Sequence, residues 1–185
     1  MSEGPGRRRR LFFALWPDEH TRRELVRRMR ALPRRSGRPV RPENLHITLA
    51  FVGPVDERVR SCLEQRAAEV AVPPFTLNLS RAGLFERAGA LWVGPEQTPP
   101  VLGDLVEHLN EALRPCGYEP DRRVFRPHMT LYRKARARPG PTDWDPLEWP
   151  VGGFALVESF TDPEGVRYQV LRRFGGQPSG LNPGA

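Results

Sequence analysis

Apolar and polar positions follow two rhythms along this chain. Residues 10–16 (Arg-Leu-Phe-Phe-Ala-Leu-Trp) are a short apolar run and predict a buried strand. From Pro17-Asp18 to about Leu32 the spacing becomes helical, with Leu25, Val26, Met29 and Leu32 on one face. The other face carries Arg22, Arg23, Arg27, Arg28 and Arg30. It reads as a solvated surface, with a phosphate-attracting stripe as the alternative. Residues 33–42 predict a loop, and Asn44 to Val52 a strand that Gly53-Pro54 closes. Asp56 is placed to cap a second helix to about Val70, with Val59, Cys62, Leu63, Ala67 and Val70 inward.

Beyond Pro73-Pro74, Phe75, Leu77 and Leu79 alternate with polar residues as a half-buried strand. Ala90 to Gly94 predicts another after a turn around Gly89. A third helix from about Pro99 to Cys116 presents Leu102, Leu105, Val106, Leu109, Leu113 and Cys116 on one side, with Gly117 as its stop. Phe125 to Lys134 reads as a strand, and residues 139–150, rich in Pro and Trp, as a loop. Phe154–Phe160 and Val166–Phe174 form a hairpin about Asp162-Pro163-Glu164-Gly165. Residues 1–9 are a basic arm and 175–185 a tail, both expected to be disordered, around one domain over 10–174. The order of elements is that of an α+β fold with mainly antiparallel sheet.

Two of these strands carry one motif: His46-Ile47-Thr48-Leu49 and His128-Met129-Thr130-Leu131. Successive strand side chains point to opposite faces. His46 and Thr48 therefore share a face while Ile47 and Leu49 go inward, and His128, Thr130, Met129 and Leu131 follow the same parity. Of four histidines and seven threonines, two pairs fall at this spacing. His20 and His108 lie off the apolar faces and read as surface residues. The motifs stand 82 positions apart, about half the chain. That spacing suggests two pseudo-symmetric lobes, helices on their outer faces, with both motifs in a central cleft.

The net charge is +7, and Lys134 is the only lysine. Arginine holds phosphate bidentately and stacks on bases, so the surface favours a nucleic-acid or phosphorylated partner. The lack of lysine excludes a Gly-x-x-x-x-Gly-Lys phosphate loop and leaves Schiff-base or lysine-adenylating chemistry without a credible nucleophile. No Cys, His and carboxylate cluster has metal-ligand spacing, and no Gly-x-Ser-x-Gly elbow is present. With a mean hydropathy of -0.54 and no long apolar run, neither a membrane span nor a signal-peptide core is expected. Cys62 and Cys116, on apolar helix faces, are expected as buried free thiols in a reducing cytoplasm.

Paired His-x-Thr-hydrophobic motifs in a chain of this size resemble the two-histidine (2H) phosphoesterase superfamily. Arg10-Leu-Phe-Phe-Ala-Leu, Pro42-Glu-Asn-Leu-His-Ile-Thr-Leu-Ala-Phe-Val-Gly53 and Arg126-Pro-His-Met-Thr-Leu-Tyr-Arg133 resemble one branch closely. That branch is the bacterial and archaeal RNA 2′,3′-cyclic phosphodiesterases, also called 2′-5′ RNA ligases. The likeness runs from Arg10 to about Phe174.

The chemistry follows from the residues. Opening a 2′,3′-cyclic phosphate needs a base for the attacking water and an acid for the departing ribose oxygen. Two imidazoles, titrating near neutrality, suffice. Thr48 and Thr130 are placed to donate to the phosphoryl oxygens, and neither metal nor nucleoside triphosphate is required. Residues alone leave open which histidine is the acid. The resemblance implies that His46 donates to the leaving 3′ oxygen, that His128 accepts from water, and that the product ends in a 2′-phosphate. It also implies that Arg133 contacts the phosphate or the terminal base, although strict alternation puts Arg133 opposite His128, so a bulge or its long arm must bring it round. Phe12 or Phe13 could stack on the base, with the core as the alternative. The partner expected is RNA ending in a cyclic phosphate, such as tRNA fragments or short oligonucleotides, and the protein is expected to be monomeric. ATP-independent 2′-5′ joining is the reverse reaction. The alternatives are a 2H enzyme for small cyclic nucleotides and a non-catalytic RNA-binding module.

Overall fold

The apolar run near the N-terminus forms β1 (Arg9–Leu15), an inner strand of a four-stranded sheet that is buried on both faces because an apolar cluster covers each. Its neighbours are β3 (Ile47–Val55) on one side and β9 (Gly153–Asp162) on the other, with β10 (Gly165–Gly175) beyond β9. A second four-stranded sheet has the order β2 (Arg38–Pro39), β7 (Met129–Arg133), β6 (Ala90–Gly94), β5 (Arg81–Phe85). A two-stranded sheet pairs β4 (Phe75–Leu79) with β8 (Leu147–Val151). Every ladder is antiparallel. The computed structural model describes residues 8–33, 37–140, 142–163 and 165–176. The expected arm and tail lie mostly outside them, and Arg9 and Gly175 belong to β1 and β10.

Three α-helices among the described residues complete the α+β architecture: α1 (Glu19–Ala31), α2 (Glu57–Ala67) and α3 (Pro100–Leu113). Asp18 and Asp56 cap the first two, each carboxylate accepting from the backbone N–H three residues on, at 2.7 and 2.9 Å. Gly117, at φ +82°, ends the short 3₁₀ turn after α3 and donates its N–H to the Arg114 carbonyl at 2.9 Å. The basic face of α1 is only partly solvated: Arg23, Arg27 and Arg30 are exposed, whereas Arg22 is half-buried and the Arg28 side chain, 11 % exposed, donates to the Asp145 and Pro146 carbonyls. Arg23 pairs with Glu19, and Arg27 and Arg28 with Glu24. His20 and His108 are exposed.

One apolar cluster joins both large sheets and all three helices, through Phe13, Ile47, Leu49, Leu25, Leu63, Leu109, Met129 and Leu131 among others. Phe12, Ala14, Ala155 and Val157 form a smaller cluster on the opposite face of the first sheet. Successive residues of β1 thus separate cleanly onto opposite faces, and this second face is the one that carries the chemistry.

Several expectations need correction. Cys62 and Cys116 are joined in a disulfide, with their Cα atoms 5.7 Å apart. Each was placed on an apolar helix face, and α2 and the turn after α3 press those faces together at bonding distance. The loop expected over 139–150 ends in strand β8, where Leu147, Trp149 and Val151 are buried and Glu148 and Pro150 exposed. Pro150 fits because β8 has only β4 beside it, leaving one edge open. Strand β5 lies in the interval left unassigned, and β3 continues through Gly53-Pro54 with Gly53 at φ +86°.

The disulfide closes a separation of 54 residues. On the chain-entropy account, reducing it or making Cys62→Ser with Cys116→Ser is expected to cost about 4 kcal/mol of stability. Urea unfolding with and without reductant reads this directly. A midpoint indifferent to reductant would show that the two thiols are not joined.

Candidate active site

Both motif histidines sit one residue before their strands, at the entrance to β3 and β7. Ahead of β3, residues Pro42–Asn44 form a 3₁₀ turn that places the Asn44 carbonyl beside the His46 ring. His46 Nδ1 lies 2.6 Å from that oxygen. A carbonyl can only accept, so Nδ1 carries the proton and Nε2 keeps its lone pair as an acceptor. Nε2 is 3.2 Å from Thr48 Oγ1, whose hydroxyl donates to it in the neutral state. Asn44, 8 % exposed, is itself anchored by an Nδ2 hydrogen bond of 2.9 Å to the Val166 carbonyl of β10.

The second motif repeats the arrangement. His128 Nδ1 donates to the Arg126 carbonyl at 2.8 Å, so its Nε2 is also the free nitrogen. Thr130 pairs across the ladder with Trp92, putting both on the face of β6 and β7 away from the core. His46, Thr48, His128 and Thr130 all line one cleft of about 410 Å³. Ile47, Leu49, Met129 and Leu131 are buried behind them.

The two imidazoles have different surroundings. His46 is stacked on Trp16, with ring centroids 5.5 Å apart and planes at 16°, and meets the rings of Phe12 and Tyr168 at 5.0 and 5.1 Å. Burial among these rings pushes its pKa down to about 4, and the positive charges of His128 and Arg133 add to the effect. The Asn44 carbonyl acts against them. His128 is touched at its edge by Phe85 at 5.0 Å and Trp92 at 6.5 Å, and these two rings stack on each other. Gly83 makes room for them: a Cβ there would lie 2.4 Å from the Trp92 ring.

Arg133 reaches the cleft because of a bulge. Leu91 pairs with Tyr132 but Trp92 with Thr130, so Leu131 is an extra residue on β7. Leu131 and Tyr132 both turn to the core side, where Tyr132 Oη donates to the Met29 carbonyl at 2.8 Å. Arg133 then returns to the side of Thr130.

Phe13 does not reach the cleft. It is 0 % exposed and packs on Phe154 and Phe174 in the main core, as its parity on β1 requires. Phe12 is on the cleft face but only 4 % exposed, and it backs His46 rather than offering a free stacking surface. Sequence reasoning missed Asn44, Trp16, Tyr168, Phe85 and Trp92 as neighbours of the histidines. Two signals were available: Asn44 lies two residues before His46, as Arg126 does before His128, and Tyr168 alternates with Val166 and Val170. Among the described residues, no three His, Cys, Asp or Glu side chains come together as a metal site.

Comparison with known proteins gives this geometry a family. Residues 16–162 match the model of the 2′-5′ RNA ligase superfamily. The chain is 34% identical over 170 residues to the RNA 2′,3′-cyclic phosphodiesterase of Escherichia coli, covering 89% of this chain and 95% of that protein. It is 36% identical over 181 residues to the RNA 2′,3′-cyclic phosphodiesterase of Thermus thermophilus, covering 89% of each. The crystal structure of E. coli LigT complexed with 3′-AMP superposes with a TM-score of 0.77 at 33% identity, over 91% of this chain and 98% of that one. On its sequence, its fold and the full length of its match, this chain belongs to the 2′-5′ RNA ligase superfamily.

Proposed function

We propose that this protein hydrolyses RNA 2′,3′-cyclic phosphate ends to 2′-phosphates by metal-independent acid–base catalysis. The observation that carries the reading is the delivery of two imidazole Nε2 atoms into one cleft, each fixed by an Nδ1–H bond to a main-chain carbonyl. Water attacks phosphorus and passes a proton to His128 Nε2, while the P–O3′ bond breaks and His46 Nε2 gives O3′ its proton. Thr48 and Thr130 donate to the non-bridging oxygens, and Arg133 offsets the charge gathering there. With an RNA 5′ hydroxyl in place of water, the same groups run a reversible 2′-5′ joining without ATP.

The names of the relatives support RNA as the substrate. We place tRNA fragments or short oligonucleotides among its forms, and read the protein as a monomer of the cytoplasm, where such ends occur. No helix among the described residues is long and apolar enough to cross a membrane. The Cys62–Cys116 bond is of a kind uncommon in a reducing compartment, so trapping thiols at lysis tests the location.

The donor role sets a condition on His46. With its pKa lowered to about 4, the ring is neutral in the empty cleft at pH 7. A phosphate monoanion docking beside it favours the imidazolium and pulls the pKa up, so substrate itself charges the donor.

Two experiments test this. Hydrolysis of an oligonucleotide ending in a 2′,3′-cyclic phosphate, with EDTA present, is expected to give only the 2′-phosphate. His46→Ala and His128→Ala are each expected to lower the rate by roughly 10²–10⁴-fold, the usual worth of a positioned acid or base. A 3′-phosphate product would reverse the regiochemistry. RNA binding that survives both substitutions, without turnover in the parent, would favour a binding module, and turnover of small cyclic nucleotides alone a different 2H branch. In the second experiment, NMR titration of the free protein is expected to find His46 protonating near pH 4, rising when a nucleoside 2′-monophosphate binds. Titration at an ordinary imidazole pKa, indifferent to the nucleotide, would remove the link between substrate and donor.

A further inference from the structure

One wall of the cleft is cationic beyond what the reacting phosphate needs. Arg38, Arg41, Arg133 and Lys134 line it, and no Asp or Glu is among the described lining residues. Several arginines elsewhere are matched with acids: Arg9 with Glu158, Arg28 with Glu24, Arg60 with Glu57 and Glu64. Arg38 and Arg133 are direct partners across the β2–β7 ladder, an arrangement that like charges disfavour.

The chain is held in this arrangement by its backbone. Lys134, at φ +55°, is the only described residue other than glycine at positive φ. Its position is fixed from two sides. Ala135 donates its N–H to the Gly89 carbonyl at 2.9 Å, and Gly37, at φ +102°, lies so near that a Cβ would sit 2.5 Å from the Arg133 carbonyl oxygen. Backbone conformations of this kind persist where the surroundings over-determine them, often at ligand clamps. A cyclic phosphodiester brings one negative charge, which Arg133 answers. Arg38 and Lys134 remain, both lining the cleft and without an ion pair to an acid among the described residues.

We propose that Arg38 and Lys134 form a second phosphate subsite, which takes the phosphate on the 5′ side of the terminal nucleotide. The favoured substrate is then a strand end with two consecutive phosphates rather than a free nucleoside cyclic phosphate. This rests on the phosphodiesterase reading above.

The test compares adenosine 2′,3′-cyclic phosphate, its 5′-phosphorylated form, and the dinucleotide ApA ending in the cyclic phosphate. The two substrates with a second phosphate are expected to exceed the first in kcat/KM by about tenfold or more, as charge-assisted contacts allow, and the advantage is expected to shrink as salt rises. Arg38→Ala, and Lys134→Gly, which accepts the positive φ without strain, are each expected to shrink that ratio several-fold toward one. Equal turnover of all three substrates would overturn the subsite and leave the phosphodiesterase reading standing. An advantage for the dinucleotide that survives both substitutions would mean the second nucleoside is recognised instead, and also overturns it. So would an equal loss on all substrates in the variants, which would put these side chains at the reacting phosphate. Absence of turnover on every cyclic phosphate would overturn the subsite together with the reading beneath it.

Discussion

The site depends on one repeated hydrogen bond, from the imidazole Nδ1 to the main-chain carbonyl two residues upstream. At His46 the acceptor is Asn44 and at His128 it is Arg126. Because the bond is local, each strand entrance carries its own device for choosing the tautomer and aiming Nε2. A rigid acceptor is what makes the choice firm: Asn44 sits in a 3₁₀ turn and is tied through its side chain to β10, so the backbone under His46 cannot rotate freely. Packing of Ile47 and Leu49 on one side and Met129 and Leu131 on the other fixes the strands themselves. The core thus orients the chemistry without touching it.

Equal motifs do not give equal histidines. Trp16, Phe12 and Tyr168 surround His46 and desolvate it, whereas His128 meets Phe85 and Trp92 of its own sheet in T-shaped contacts. Low local dielectric costs the charged imidazolium, and the neighbouring cations cost it more. An anion beside the ring would act against both, because it supplies a counter-charge to the imidazolium. The difference between two chemically identical side chains therefore comes from their walls. It has a consequence for stability too. A histidine whose folded pKa lies below its unfolded one holds its contribution at neutral pH and loses it as the pH falls below about 6.5.

Parity carried most of what the sequence disclosed. The period of two separates His46 and Thr48 from Ile47 and Leu49 whatever the tertiary structure, so the face that bears the chemistry was legible in four residues. Asp56 and Gly117 announced their roles as cap and stop for the same reason, since the interaction spans only a few positions. What stayed hidden depends on residues far apart in the chain. The Cys62–Cys116 bond needs the crossing of α2 with the turn after α3, and β8 acquires its identity from pairing with β4, more than 65 positions earlier. Phe12 and Phe13 show the limit within one strand: parity says that they face opposite ways, and only the packing says that Phe13 meets the core while Phe12 backs a histidine.

The bulge at Leu131 is the place where parity itself fails, and it explains the electrostatics of the cleft. With regular pairing, Arg133 would point to the core side and Tyr132 to the cleft. A single extra residue lets Leu131 and Tyr132 both turn inward, where Tyr132 anchors β7 to α1 through the Met29 carbonyl, and sends the guanidinium to the cleft side. The strand cannot continue straight after such a turn. Lys134 enters the left-handed region directly behind it, flanked by Gly37 and Gly89, whose lack of a side chain lets the backbones close around it. One insertion in a ladder thereby brings Arg133 onto the lining of the cleft with Arg38 and Lys134, and assembling like charges there carries an energetic cost.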